Sequence, residues 1–147
     1  MENQNMLNKA TPPPLPNTTV ANNHAAEANY GMIDWFKKGL RNYTNFSGRA
    51  RRKEYWYFSL VHSILIVTAM IVDYIIFGSE TGLFYVVVML GLFIPSVSVA
   101  IRRLHDTSRS GWWMLLAFIP LIGSIILLVF LATDTKLETN KWGLPAK

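Results

Sequence analysis

Apolar and polar positions are segregated along this chain rather than interleaved. The first thirty residues hold few large apolar side chains, whereas Tyr55 to Phe77, Leu83 to Ile101 and Trp112 to Leu131 hold little else. A water-soluble domain of this length would alternate the two kinds at helix or strand period. A bilayer core instead needs about 20 apolar residues for each helical span. Hydrocarbon offers backbone groups no outside partner, so each stretch is expected to be helical. The breaks agree with this: Gly78-Ser79-Glu80-Thr81-Gly82 reads as a turn, and the loop at 102–111 carries four charged side chains and a histidine. The expected fold is all-α, a polytopic membrane helical bundle of about three transmembrane helices.

A short amphipathic helix over 32–44 is predicted ahead of them. Ile33, Phe36, Leu40 and Tyr43 recur at spacings of three and four and share one face. Lys37, Lys38 and Arg41 fall largely elsewhere, with Trp35 at the margin. Such a helix suits either the headgroup plane or the protein's own surface. Residues 1–31 read as a disordered leader in which Thr11-Pro12-Pro13-Pro14-Leu15-Pro16 favours polyproline II. The apolar run starts too late for a secretory signal, and residues 32–145 remain as the membrane domain.

Charge sets the expected orientation. The net charge of +5 could suggest nucleic acid, but the basic residues cluster at 37–41, 49–53 and 102–109, beside the apolar spans. There they meet anionic headgroups and fix orientation, so the predicted partners are membrane lipids and not nucleic acid. A second copy of the chain or another membrane protein are the further partners considered. Eight Lys and Arg precede the first span, none lies in 78–82, three lie in 102–111 and three follow residue 131. This places the amino terminus in the cytoplasm of a bacterium, with the protein multi-pass in its inner membrane. Three spans would then export the tail, although Lys136, Lys141 and Lys147 oppose export. Pro120, midway along the third stretch, leaves a bent or re-entrant segment open.

His62 and Asp73 are ionisable residues inside the first span, on one face with Ser59, Ile66 and Ala69. They lie about 16 Å apart along the axis and cannot touch. His62 reads as a neutral imidazole bonded to a neighbouring helix or as a proton relay; Asp73 reads as an interfacial charge or as part of a hydrated path.

Two basic-aromatic motifs carry the most specific chemistry: Phe46-Ser47-Gly48-Arg49-Ala50-Arg51-Arg52-Lys53-Glu54-Tyr55-Trp56, and Ile94 to Trp113 with Arg102-Arg103-Leu104-His105-Asp106-Thr107 and Arg109 at its centre. Both fall at one membrane face. Glu54 and Asp106 are available to Arg49, Arg51, Arg52, Arg102, Arg103 and Arg109 for bidentate pairs that brace the span ends. The alternative is an anionic headgroup held by Arg51, Arg52, Arg102 and Arg103. His105-Asp106 alone supplies too few ligands for a metal. With no cysteine, nucleophile motif, phosphate-cradling loop or paired catalytic carboxylates, neither an enzyme nor a cofactor is expected. A non-catalytic scaffold is the leading function, and a small transporter using His62 and Asp73 the second.

Ser47 to Trp56 and Arg102 to Trp113, with Ile119-Pro120-Leu121-Ile122-Gly123, resemble the bacterial inner-membrane family called domain of unknown function 805. Asp134 and Trp142-Gly143 resemble its ending more loosely. Ser108 stands where the family usually has glycine. The resemblance covers about residues 32–145 and implies a short multi-span protein, with no activity attached.

Overall fold

A computed structural model describes residues 25–78 and 82–146. The greater part of the predicted leader, and residues 79–81 of the predicted turn, lie outside the described residues. The chain divides into two units after Tyr30. Within the first, Ala28 N donates to Ala25 O and Tyr30 N to Glu27 O, both at 3.2 Å. The second unit contains α1 (Met32–Arg41), α2 (Arg52–Phe77), α3 (Leu83–Asp106), a 3-10 helix (Gly111–Phe118) and α4 (Ile122–Ala132). Among the described residues there is no strand, only an isolated bridge between Asn140 and Gly143. The fold is all-helical.

Two helices are long and apolar enough to cross a bilayer, α2 and α3. At 1.5 Å per residue they run about 39 and 36 Å. They pack against each other, and α1 lies across the start of α2. The buried face of α1 is turned from the expected one. Trp35, expected at the margin, is fully buried, while Ile33 and Tyr43 are exposed. The reason is Gly39, where a Cβ would strike the Phe58 ring. Its absence lets Phe58 press against the helix and stack on Phe36 at 5.0 Å between centroids.

Pro95 lies inside α3. A proline has no N–H, so the carbonyl four residues earlier loses its helical donor. That carbonyl belongs to Gly91, and the Tyr43 hydroxyl donates to it at 2.5 Å. The segment after α1 is thereby tied to the middle of α3. Ser98 adds a second tie, its hydroxyl lying 2.8 and 2.7 Å from the carbonyls of Asn42 and Asn45.

The third apolar stretch, expected as a span over 112–131, is divided. Its 3-10 helix ends at Phe118, Leu121 takes a positive φ of 62°, and α4 is only eleven residues long. Pro120 explains the break, since it cannot donate to a helical ladder. The halves fold back on each other: a Cβ on Gly123 would collide with the Leu116 carbonyl, and Trp113 meets Phe130 edge-on at 5.3 Å. Each half is about 16 Å long. The end of α4 therefore returns to the end of α3, where Arg103 Nε donates to Leu131 O at 3.0 Å.

The turn leaving α3 holds Ser108 in the left-handed region. Arg109 N donates to Leu104 O at 2.9 Å and Ser108 N to His105 O at 3.0 Å, with Ser108 at φ 60°. This is a Schellman closure, whose left-handed residue is usually glycine. Ser108→Gly is expected to stabilise the protein by about 0.5–1 kcal/mol, and Ser108→Val to destabilise it by more. Melting of the detergent-solubilised variants checks both signs.

Candidate functional site

The end of the molecule where α2 begins and α3 finishes gathers most of the charged motif residues into one buried cluster. Asp106, in the last turn of α3, is solvent-free. Its Oδ1 accepts from Arg49 Nε at 2.9 Å, and its Oδ2 from Arg103 Nη1 and from the Thr135 hydroxyl at 2.7 Å. Backbone groups add Ala146 N at 3.3 Å on Oδ1. One carboxylate thus joins the approach to α2, the end of α3 and the tail.

Both guanidinium groups are occupied further. Arg103 reaches the carbonyls of Ala50 at 3.4 Å, Leu131 and Thr133. Arg49 reaches the carbonyls of Asp106 at 3.0 Å, Glu138 at 2.8 Å, Gly143 at 3.3 Å and Lys136. Taking a charge out of water is costly unless it is paired and its hydrogen bonds are filled. Here the tail supplies the missing acceptors.

A second pair lies beside the first. Glu54, in the first turn of α2, accepts from Arg102 Nη1 at 2.6 Å and has Lys38 Nζ of α1 at 3.1 Å. Arg102 is itself buried, and among the described residues its Nε and Nη2 have no hydrogen-bond partner. Arg51 donates to Ala146 O. Arg52 is half-exposed and only 3.9 Å from Asp134 Oδ1, a surface contact that contributes little. With Lys53, Arg51, Asp134 and Thr135 it lines a cleft of about 420 Å³.

His105 is buried beside this core. Its ring stacks on Trp142 at 4.2 Å with 9° between planes, and its Nδ1 lies 3.2 Å from Gly48 O. The Asn140 side chain donates to the His105 carbonyl at 2.8 Å. Arg109 lies 4.0 Å over the Phe130 ring. Among the described residues no group of three or more His, Asp or Glu is placed to hold a metal.

The intramembrane candidates separate. His62 lies against α3, with Nδ1 3.1 Å from Ser96 Oγ. Asp73 sits at the far end of α2, buried, and accepts from Phe84 N at 3.0 Å and Tyr85 N at 2.8 Å. It caps the start of α3, where unpaired N–H groups and the helix dipole favour a carboxylate. It therefore links the end of α2 to the start of α3.

Several contributors were not signalled by the sequence. Lys38 pairs with Glu54, Trp35 is buried, and the carbonyls of 131–143 accept from Arg49 and Arg103. Asp134 and Trp142-Gly143 are the residues of the tail that the resemblance marks.

Residues 43–144 match the family model described as protein of unknown function (DUF805). The match begins after α1. The inner membrane protein YhaI of Escherichia coli K12 is 44% identical over 111 residues, which cover 76% of this chain and 93% of YhaI. The inner membrane protein YhaH of the same strain is 45% identical over 115 residues, covering 76% and 94%. No solved structure matches the chain significantly.

Asp106→Asn keeps the shape of the side chain but leaves two buried guanidinium groups with half their compensation. It should cost about 3–5 kcal/mol of stability, and Glu54→Gln less, since Lys38 is partly exposed. Thermal melting in detergent checks this; an unchanged Asp106→Asn transition would contradict the bracing role.

Proposed function

This chain belongs to the DUF805 family, and we propose that it is an inner-membrane scaffold, not an enzyme, locked at its cytosolic end and held there against anionic lipid. The observation that carries the reading is how the motif charges are used. Arg49, Arg103 and Asp106 engage one another and the tail backbone, as Arg102 does Glu54. Such groups brace a fold; they are not poised over a substrate.

The membrane setting is supported by what the helices expose. Val67, Met70, Ile71 and Ile75 on α2, and Val87, Leu90 and Phe93 on α3, are each more than half exposed. A monomer in water does not present so long an apolar belt. Trp56, Trp112 and Trp113 are also exposed, at the depth where amphipathic rings favour the interface.

We read the divided third stretch as a re-entrant hairpin reaching about halfway into a hydrocarbon core of about 30 Å. The chain then crosses twice, and its tail shares a side with its approach to α2. This removes the conflict over Lys136, Lys141 and Lys147, since every basic cluster stays in the cytoplasm. The exposed charges of Lys37, Arg41, Arg52 and Lys53 then face anionic headgroups, each contributing about 1 kcal/mol near the surface.

The chain has no cysteine, so single cysteines report its topology cleanly. In intact cells an impermeant thiol reagent should label a cysteine at Ser79 and leave one at Thr139 unlabelled. Labelling at Thr139 from outside would restore three spans and exclude the hairpin.

The lipid half is tested by native mass spectrometry in mixed lipids. Anionic lipids should be enriched in a graded way that salt weakens, because the Debye length is about 10 Å at 0.1 M. Neutralising Arg52 and Lys53 together should reduce the enrichment. No anionic preference at all would remove lipid from the proposal, and a saturable preference that survives high salt would replace the collar with a dedicated pocket.

A further inference from the structure

The cleft of about 420 Å³ opens where the start of α2 meets the chain leaving α4, and is lined by Arg51, Arg52, Lys53, Asp134 and Thr135. Three of these residues are basic and one is acidic. The acid is the informative member. A site built for an anion alone would exclude a carboxylate, because like charges a few ångströms apart repel. A structural ion pair would close, yet Arg52 Nη1 stops 3.9 Å from Asp134 Oδ1, beyond hydrogen-bonding distance. Both side chains are about half exposed, so each keeps accessible surface in a cleft that both line.

The remaining lining groups sharpen the division of charge. Arg51 gives its Nε to the Ala146 carbonyl. Asp134 Oδ1 accepts from Thr135 N at 2.9 Å, and the Thr135 hydroxyl donates to Asp106. That hydroxyl has given its one proton, so any further bond it makes is as an acceptor. The cleft thus has an anion-binding half at Arg52 and Lys53, and a cation-accepting half at Asp134 and Thr135.

Deeper along α2 the surface turns apolar. One turn at a time from Arg52 come Trp56, Leu60 and Ile64, all exposed and on one face of the helix. The stripe extends about 18 Å along the axis. The last turns of α4, just before Asp134, expose Leu128 and Val129. Trp56 is an interfacial ring, which sets the cleft at the level of headgroups and the stripe at the level of acyl chains. A matching occupant carries both charges at one end and hydrocarbon at the other.

We propose that the cleft binds one zwitterionic phospholipid with a primary ammonium, of the phosphatidylethanolamine kind. Its phosphate lies on Arg52 and Lys53, its ammonium donates to Asp134, and an acyl chain follows Trp56, Leu60 and Ile64. The inference rests on the membrane setting proposed above, and adds one lipid of zero net charge to the graded anionic collar. A choline headgroup has no N–H to donate, and a glycerol headgroup has no cation. Each leaves Asp134 unmatched.

The test is native mass spectrometry of the full chain with phosphatidylethanolamine, its mono-, di- and trimethylated forms, and phosphatidylglycerol, all of one acyl composition. One ethanolamine lipid should bind saturably and about fivefold more tightly than the trimethyl form, the ratio that about 1 kcal/mol gives. Affinity should fall in order along the methylated series, a readout that needs no variant. Asp134→Asn should bring the ethanolamine and trimethyl lipids level, and Arg52→Gln should weaken both. Water-soluble glycerophosphoethanolamine at equal concentration should not displace the lipid, since it lacks the chains. Equal binding of all four methylation states, or a preference that persists in Asp134→Asn, would overturn the proposal. So would displacement of the ethanolamine lipid by equimolar phosphatidylglycerol or by the headgroup alone. Graded anionic enrichment without an ethanolamine preference sinks only the zwitterion site; the preference without the enrichment sinks only the collar.

Discussion

A carboxylate removed from water must be compensated on the spot, and Asp106 meets that requirement with two guanidinium groups, a hydroxyl and a backbone amide. Each compensating group belongs to a different segment: the approach to α2, α3 itself, and the tail before and after residue 140. The electrostatics therefore act as a spatial constraint. Arg103 and Arg49 in turn need acceptors, and carbonyls from 131 to 143 supply them. Removing any one member would leave charge stranded rather than merely loosen a contact.

The helices are arranged so that this cluster can close. Asp73 fixes the far end by capping α3, and Pro95 frees the Gly91 carbonyl that holds Tyr43. The break at Pro120 and Leu121 turns the last apolar stretch back toward its origin. A straight helix of twenty residues would carry Leu131 about 30 Å from Trp112 and leave Arg103 without its carbonyls. The proline break and the buried charges are thus two parts of one solution.

Much of this was legible in the residues. The first two spans followed from uninterrupted apolar runs, and the motifs named the acids and bases that pair. Which acid meets which base did not follow, because it depends on how α1, α3 and the tail converge. The face of α1 was misjudged since periodicity counts apolar side chains, whereas Gly39 matters for the space it leaves. The third stretch is not one continuous helix because Pro120 and Leu121, at φ 62°, divide it, a break that hydropathy averages over. The tail was least legible of all: Lys136, Glu138 and Gly143 contribute main-chain carbonyls, which every residue possesses and no composition marks.

The dependence of the cluster on residues 131–146 also sets an order of events during synthesis. Every group those residues bind lies earlier in the chain, so α2 and α3 can be inserted while Arg49 and Arg103 still lack most of their acceptors. Until the tail emerges, that end of the protein carries open, hydrated charge and cannot dehydrate. Closure becomes a late step, separate from insertion, and a chain interrupted before residue 131 would be embedded yet unlatched. Such a product would differ from the finished protein at one face alone, which is the kind of difference a protease at the membrane surface can read.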